Sequence, residues 1–331
     1  MLNPAYKLTI GSKVVDTTDK PQASTVIDLT VALDLDTPAD CFALMLGQVG
    51  GLKPARDDKA KIELGYADDG GLTQVISGLV DAVEPTLTTT RIVGFSAAPL
   101  LRTFVDQTYE SKKAGEIVSD LASQASVDVD TADDGIDFPA YVVDGRRSIQ
   151  YHMLDLAALC GFDLYINPDG KLVFQKFANG NTVHVLEYAK HILKLDVRRL
   201  PALASEVTSW GESPGSGHGD NAWAWLTKDF SGLKGSSGTG SPTLLLEEPA
   251  LRTTDAAATA ATALETTIGR RKIRGQVVIL GDPSVKLGDA VRLKGLPDST
   301  LNGAYQVRAV THRITKVRGF TTAIEFRAIS Q

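Results

Sequence analysis

The pentapeptide Gly211-Glu212-Ser213-Pro214-Gly215 matches G-x-S-x-G, the pattern that sets a nucleophilic serine on a sharp turn between a strand and a helix. Acyl transfer there needs the residue after the serine to donate its backbone N–H to the oxyanion, and a helix must follow. Pro214 has no N–H, and the next residues, SGHGDNAW, carry no helical pattern. The match is not a nucleophile elbow. The histidines, at 152, 184, 191, 218 and 312, form no i, i+4 pair, and none flanks a glutamate as H-E-x-x-H requires. His184 and His191, the nearest pair, read as strand or surface residues, and His218 with Asp220 is read as no metal site. The acidic run Asp128, Asp130, Asp133, Asp134 resembles a calcium loop only until its positions are counted. From Asp128, the sixth position is Asp133 where glycine is required, and the twelfth is Pro139 where a bidentate glutamate belongs. The Gly-rich stretch from Gly235 to Gly240 has no lysine, no preceding strand and no helix starting there, so it cradles no phosphate. No catalytic, cofactor-binding or metal-ligating residue is expected, and the chain is read as not an enzyme.

The elements that would have positioned such residues read as strands, then helices, then strands. In residues 1–100 the strand candidates are 6–15, 24–35, 61–67 and 72–85, with Asp68-Asp69-Gly70-Gly71 a tight turn between the last two. Thr25, Ile27, Leu29 and Val31 alternate with Val26, Asp28 and Thr30, so one face is partly wet. Thr37-Pro38 looks like a helix start, but Phe42, Leu44 and Leu46 alternate, which favours a strand. Residues 101–195 hold two helices. One covers about 112–125, with Ser111 as its N-cap; the other covers 149–160, between Ser148 and Gly161 as caps. FDLYI, the turn Asn167-Pro168-Asp169-Gly170 and KLVFQKF then form a hairpin. Residues 203–210 look extended, and 211–242 read as an exposed, mobile Gly/Ser-rich loop. An alanine-rich helix follows at about 254–268, with Thr254 before it and Gly269 after it, and strands run from there to the end. The fold class is therefore α+β, mainly β. It has two strand-rich domains, 1–100 and 196–331, around an α+β domain at 101–195, the second interrupted at 211–269.

In a chain of 331 residues with only Cys41 and Cys160, neither a disulfide framework nor a multi-cysteine metal site is expected; both read as small core residues. No stretch is long and apolar enough to span a bilayer, so a protein made in the cytoplasm without a membrane anchor is expected. Formal charge runs −5, −4 and +3 over residues 1–100, 101–200 and 201–331. Basic residues cluster at Arg270, Arg271, Lys272, Arg274 and at Arg308, Arg313, Lys316, Arg318. They read as solvated strand faces, or as surfaces that meet acidic ones across copies. No helical recognition motif accompanies them, so nucleic acid is not a sequence-read partner. The apolar patch Trp223, Trp225, Leu226 and Phe230 lies in the loop, and Trp223, Trp225 and Phe230 are the candidate partner-contact residues.

The strand VISGLVDAVEP (75–85), the segments at 95–127 and 148–174, and the run LGDAVRLKG…GFTTAIEFRA at 287–328 carry a resemblance in their order and spacing. The last run reads G-D-x-V, N-G-x-Y-x-V, H-x-I and G-F-x-T-x-I. Apart from 211–250, the chain resembles the baseplate hub family: late control protein D of contractile-tailed phages, the hub of phage-like extracellular injection systems and the N-terminal half of type VI spike proteins. The resemblance implies that the two strand-rich domains are tube-like β-barrels and that the protein is a homotrimer, with six similar barrels around a channel. Such a ring would dock on a sixfold tail tube and a threefold spike. The implied partners are the tube protein, the spike protein and baseplate wedge proteins, with nucleic acid only as cargo in transit and no cofactor. The implied location is a phage tail or injection particle. Because the chain ends at FRAISQ, its spike is expected to be a separate polypeptide. A tail-associated cell-wall hydrolase and a carbohydrate-binding protein using Trp223 and Trp225 are the alternatives.

Overall fold

Alternating apolar residues drive the first unit of the fold into strands whose inner faces share one core. The computed structural model describes residues 2–18, 20, 24–47, 53–68, 70–211 and 234–329. The first seven strands are β1 (Pro4–Ile10), β2 (Lys13–Asp16), β3 (Val26–Asp34), β4 (Cys41–Gly47), β5 (Lys59–Tyr66), β6 (Gly71–Pro85) and β7 (Thr89–Phe95). They pair in the order β2-β1-β5-β6-β7-β4-β3. The expected strand over 6–15 is a hairpin instead: Gly11 takes a φ of 56°, which turns the chain between β1 and β2. In β3 the inward face is Leu29, Val31 and Leu33, but Val26 is buried and Ile27 is 40% exposed. A bulge between Val26 and Asp28 shifts the alternation by one residue, which a strict period of two cannot anticipate. The ambiguous segment after Pro38 is the strand β4, with Phe42, Leu44 and Leu46 buried.

The middle segment follows. It comprises α1 (Ala98–Arg102), β8 (Gln107–Lys113), α2 (Ala114–Gln124), β9 (Val129–Ala132), β10 (Asp137–Val143), α3 (Ile149–Cys160), β11 (Phe162–Ile166) and β12 (Leu172–Lys176). Lys113, not Ser111, is the N-cap of α2; its backbone N–H donates to Glu116 Oε2 at 3.0 Å, while Ser111 sits at a φ of 49°. Helix α3 starts after Ser148 as expected and ends on Gly161, whose φ of 69° is the left-handed closure that glycine permits. The expected hairpin is β11 and β12, paired antiparallel, with Gly170 at a φ of 84° in its turn.

The remaining strands are β13 (Val183–Glu187), β14 (Ile192–Arg199), β15 (Glu206–Trp210), β16 (Lys234–Gly238) and β17 (Thr243–Glu247). After α4 (Thr254–Arg270) come β18 (Ile273–Leu280), β19 (Ala290–Lys294), β20 (Gly303–Thr315) and β21 (Gly319–Ala328). Six of them form a second strip in the order β13-β19-β20-β21-β18-β14. Numbered by position along the chain, this order is 1-4-5-6-3-2. The first strip has that same order once the extra hairpin strand β2 is set aside. One pairing differs in sense: β13 runs parallel to β19, whereas β1 runs antiparallel to β5.

In the second strip, the edges β13 and β14 run in the same direction and are consecutive in the chain, joined by residues 188–191. No ladder joins them among the described residues, but four residues span at most about 17 Å, so the chain itself bridges the two edges. The strips are fused into one sheet through β3 and β20, which pair from Asp34↔Ala309 to Asp28↔Thr315. A single apolar core runs through both, from Leu29, Phe42 and Ile92 to Val291, Val310 and Phe326.

A second core, built on Ile117, Leu121, Phe138, Met153 and Phe174, takes in Leu251, Ala256, Ala257 and Ala260 from α4 and its approach. The capping residue of α4 is Thr253 rather than Thr254, with its hydroxyl accepting from Ala256 N at 3.1 Å, and the helix runs through Gly269. Part of the expected Gly/Ser-rich loop is ordered: β16 pairs antiparallel with β15. Its Gly235 is a packing residue, since a Cβ there would stand 2.2 Å from the backbone carbon of Ala257. Glycine-rich composition thus marks a close approach of strand to helix at this point.

Candidate interaction site

Asp163 is a carboxylate in a strand that otherwise reads Phe-x-Leu-Tyr-Ile, and it is 7% exposed. An ion so placed is stable only if it is paired and its oxygens are hydrogen-bonded. Strand β20 supplies both needs: Gln306 Nε2 donates to Asp163 Oδ2 at 2.6 Å, and Arg308 Nη1 to Oδ1 at 2.9 Å. Arg308 can reach because it stands at a bulge, where the register with β21 shifts between Val307 and Ala309. Its Nη2 also donates to Asp36 Oδ1 at 2.8 Å, just past β3, and Arg327 of β21 binds the other oxygen of Asp36. From the last turn of α4, Arg270 donates to Gln306 Oε1 at 3.2 Å and lies over the Phe177 ring, 5.4 Å from its centroid.

The network therefore ties the first strip, the second strip, the β11–β12 hairpin and α4 to one another. Burial pushes the Asp163 carboxyl up from its ordinary range, against the opposing pull of Arg308 and Arg270. Burial likewise lowers Arg270 and Arg327, opposed by Asp163 and Asp36 respectively. Such a junction fixes register and orientation more than it adds net stability, because desolvation offsets most of the Coulomb gain.

A polar hollow of about 570 Å³ lies where the two strips meet the hairpin turn. At its wall His184 Nε2 is 3.0 Å from Asp289 Oδ2, and Asp289 also accepts from the backbone N–H of Thr182 at 3.1 Å and of Lys286 at 3.0 Å. Across it, Gln74 Nε2 donates to the Pro168 carbonyl at 2.5 Å. These bonds brace loops against one another. They leave no described serine, threonine or cysteine bonded to His184 as a nucleophile would be.

The other residues singled out in the sequence are dispersed. His152 Nε2 lies 3.0 Å from the Asp144 carbonyl, His191 Nδ1 accepts from Glu187 N at 3.0 Å, and His312 is buried beside Thr322. Of the acidic run, Asp133 accepts from Lys176 N at 2.9 Å and Asp134 pairs with Lys113 at 2.5 Å. Among the described residues no group of three or more His, Cys, Asp or Glu side chains could hold a metal ion. Cys160 is buried, its thiol pushed up to about 11 by burial, and Cys41 is half-buried; both are free thiols. No described helix is long and apolar enough to cross a membrane. Trp223, Trp225 and Phe230, together with Glu212–Gly215, lie outside the described residues. The basic clusters divide: Arg308 and Arg270 are in the junction, and Arg313 pairs with Asp28 at 2.5 Å across β3 and β20. Asp163 was the missed residue, and its one sequence signal is a carboxylate inside an apolar strand run.

No protein-family model and no curated protein matches the sequence. Solved structures do. The 43 kDa tail protein of prophage MuSo2 from Shewanella oneidensis superposes with a TM-score of 0.73 at 14% identity, over 98% of each chain. The tail protein of Neisseria meningitidis MC58 gives 0.72 at 11% identity, over 99% of this chain and 98% of that one. This chain has a phage tail protein fold. An E. coli component of the type VI secretion system, described as structurally similar to T4 bacteriophage tail proteins, gives 0.61 at 9% identity over 97% of this chain and 76% of that one. The expected resemblance is thus met in the fold.

Proposed function

We propose that this chain is a structural subunit of a tail or phage-like injection machine: a hub, three copies of which form a ring between a sixfold tail tube and a threefold spike. The observation that carries this reading is the repeated strand order 1-4-5-6-3-2, present twice and fused through β3 and β20. Each copy then offers two equivalent units to a tube. Three copies offer six, while the copies themselves keep threefold symmetry for a spike. On this reading each strip is a tube-like barrel, the first within residues 1–100 and the second drawn from β13 onward. The α+β segment, with α4 packed into its core, braces the two from outside. Ring closure would also cover strand edges such as β13, where Val183 and Val185 are exposed.

Mixing the purified chain with the tube and spike proteins of the same particle tests the proposal. A complex holding three copies of this chain on one spike trimer is the expected product. Failure to bind either partner, with both partners folded, would remove the hub reading. Turnover of purified cell wall by the isolated protein would point to the hydrolase alternative instead.

A further inference from the structure

The outer face of the second strip carries charge that the buried junction does not balance. Arg198 on β14 stands directly across from Arg274 on β18, and Arg274 directly across from Arg327 on β21. Directly opposed residues project to one face, where like charges repel. Two residues along, the same face carries Asp196, Gln276 and Glu325, but Asp196 pairs with Lys194 at 2.7 Å and Gln276 donates to Glu325 at 3.5 Å. Arg198 and Arg274 are exposed, and neither side chain makes a hydrogen bond or ion pair with any described residue. The guanidinium of Arg271, at the end of α4, is also without a hydrogen bond or ion pair among the described residues. The row opens into two adjoining hollows, of about 570 and 310 Å³, which share Asp36, Arg308 and Arg327 in their walls. Together those walls hold six guanidinium groups against four carboxylates.

We propose that this groove binds a phosphate dianion, as the free ion or as a phosphomonoester. Neighbouring strands lie about 4.8 Å apart, so successive guanidinium forks can address different oxygens of one tetrahedral anion. Because Asp196 is already paired with Lys194, the excess is at least two positive charges, which a dianion offsets more fully than a singly charged carboxylate would. Planar forks with several donors suit a phosphate better than ammonium groups would, and every cation in these walls is an arginine.

Calorimetric titration of the full-length protein with inorganic phosphate, at ionic strength held constant with sodium chloride, is expected to give a saturable isotherm with one site per chain. The double variant Arg198→Gln, Arg274→Gln is expected to weaken it at least tenfold. Its unfolding midpoint in chloride should be no lower than the wild type's, since neither side chain supports a described neighbour and their mutual repulsion is removed. Arg271→Gln, on a different element, is a second probe and is expected to weaken binding several-fold. Glycerol phosphate separates the two sources of the dianion: tighter binding than the free ion marks a phosphomonoester, and weaker binding marks inorganic phosphate. An isotherm unchanged in both variants, or one reproduced by sodium acetate, would overturn the site and leave general anion screening.

Discussion

His312 lies on β20 between Val31 of β3 and Thr322 of β21, at the seam where the two strips become one sheet. It is fully buried, with Nδ1 3.0 Å from Thr322 Oγ1. Burial pushes its pKa down to about 4, against the opposing influence of the Val285 backbone and the Asp282 charge. In an unfolded chain the same ring titrates near 6.5, so between these values the unfolded state takes up a proton that the folded state refuses. The stabilisation from a neutral His312 is therefore intact above pH 6.5 and is lost as pH falls toward 4. Linkage over that interval gives a loss of about 2.5 kcal/mol between pH 7.5 and pH 4.5. Replacing the ring by His312→Asn keeps a polar atom toward Thr322 and removes the titration, at a packing cost of about 1–2 kcal/mol. Urea unfolding midpoints, followed by tryptophan fluorescence, should place the variant below the wild type at pH 7.5. At pH 4.5 it should be level with it or above it. Every other titrating group is common to the two proteins and cancels in their difference. A constant offset between the two curves across this range would refute the reasoning.

Asp40 works in the opposite sense: burial raises its carboxyl to about 7, so the stability available at low pH is lost as pH rises from about 3.8 toward 7. Asp40→Asn retains the acceptor for the Asp34 N–H and should raise the unfolding free energy from urea titration at pH 8 by up to about 4 kcal/mol, while leaving it almost unchanged at pH 4. Removing Arg308 with Arg308→Met leaves Asp163 buried without its ion-pair partner, while Asp36 keeps Arg327, and should cost about 3–5 kcal/mol; adding Asp163→Leu should return a measurable part of that loss in a double-mutant cycle. Gly235→Ala drives a methyl group into the α4 backbone and should lower the unfolding free energy by more than about 2 kcal/mol, because no side-chain rotation relieves a contact with backbone.

Strands with clean alternation and turns with a required positive φ were legible from the residues: β4 from Phe42, Leu44 and Leu46, and the β11–β12 hairpin from Pro168 and Gly170. Features set by one-residue irregularities were not. The bulges at Val26/Asp28 and Val307/Ala309 are set by how β3 pairs with β4 and β20 with β21 rather than by the local alternation, and they decide that Ile27 faces out and that Arg308 reaches Asp163. The capping residues moved by one or two positions where a backbone N–H, as at Lys113, or a neighbouring threonine, as at Thr253, met the geometry first. The repeat was hidden because two strips can share a strand order while sharing only alternation, which many sequences satisfy. Glycine misled in one place, since a residue that permits mobility also permits the close contact made by Gly235.

The native mass of the purified chain, alone and with its spike, tests the central claim most directly. Multi-angle light scattering should return three times the 35.2 kDa of one chain for the ring alone, or three times that mass plus the mass of one spike trimer when the spike is added. A mass of one chain that persists at high protein concentration and in the presence of both tube and spike would contradict the account.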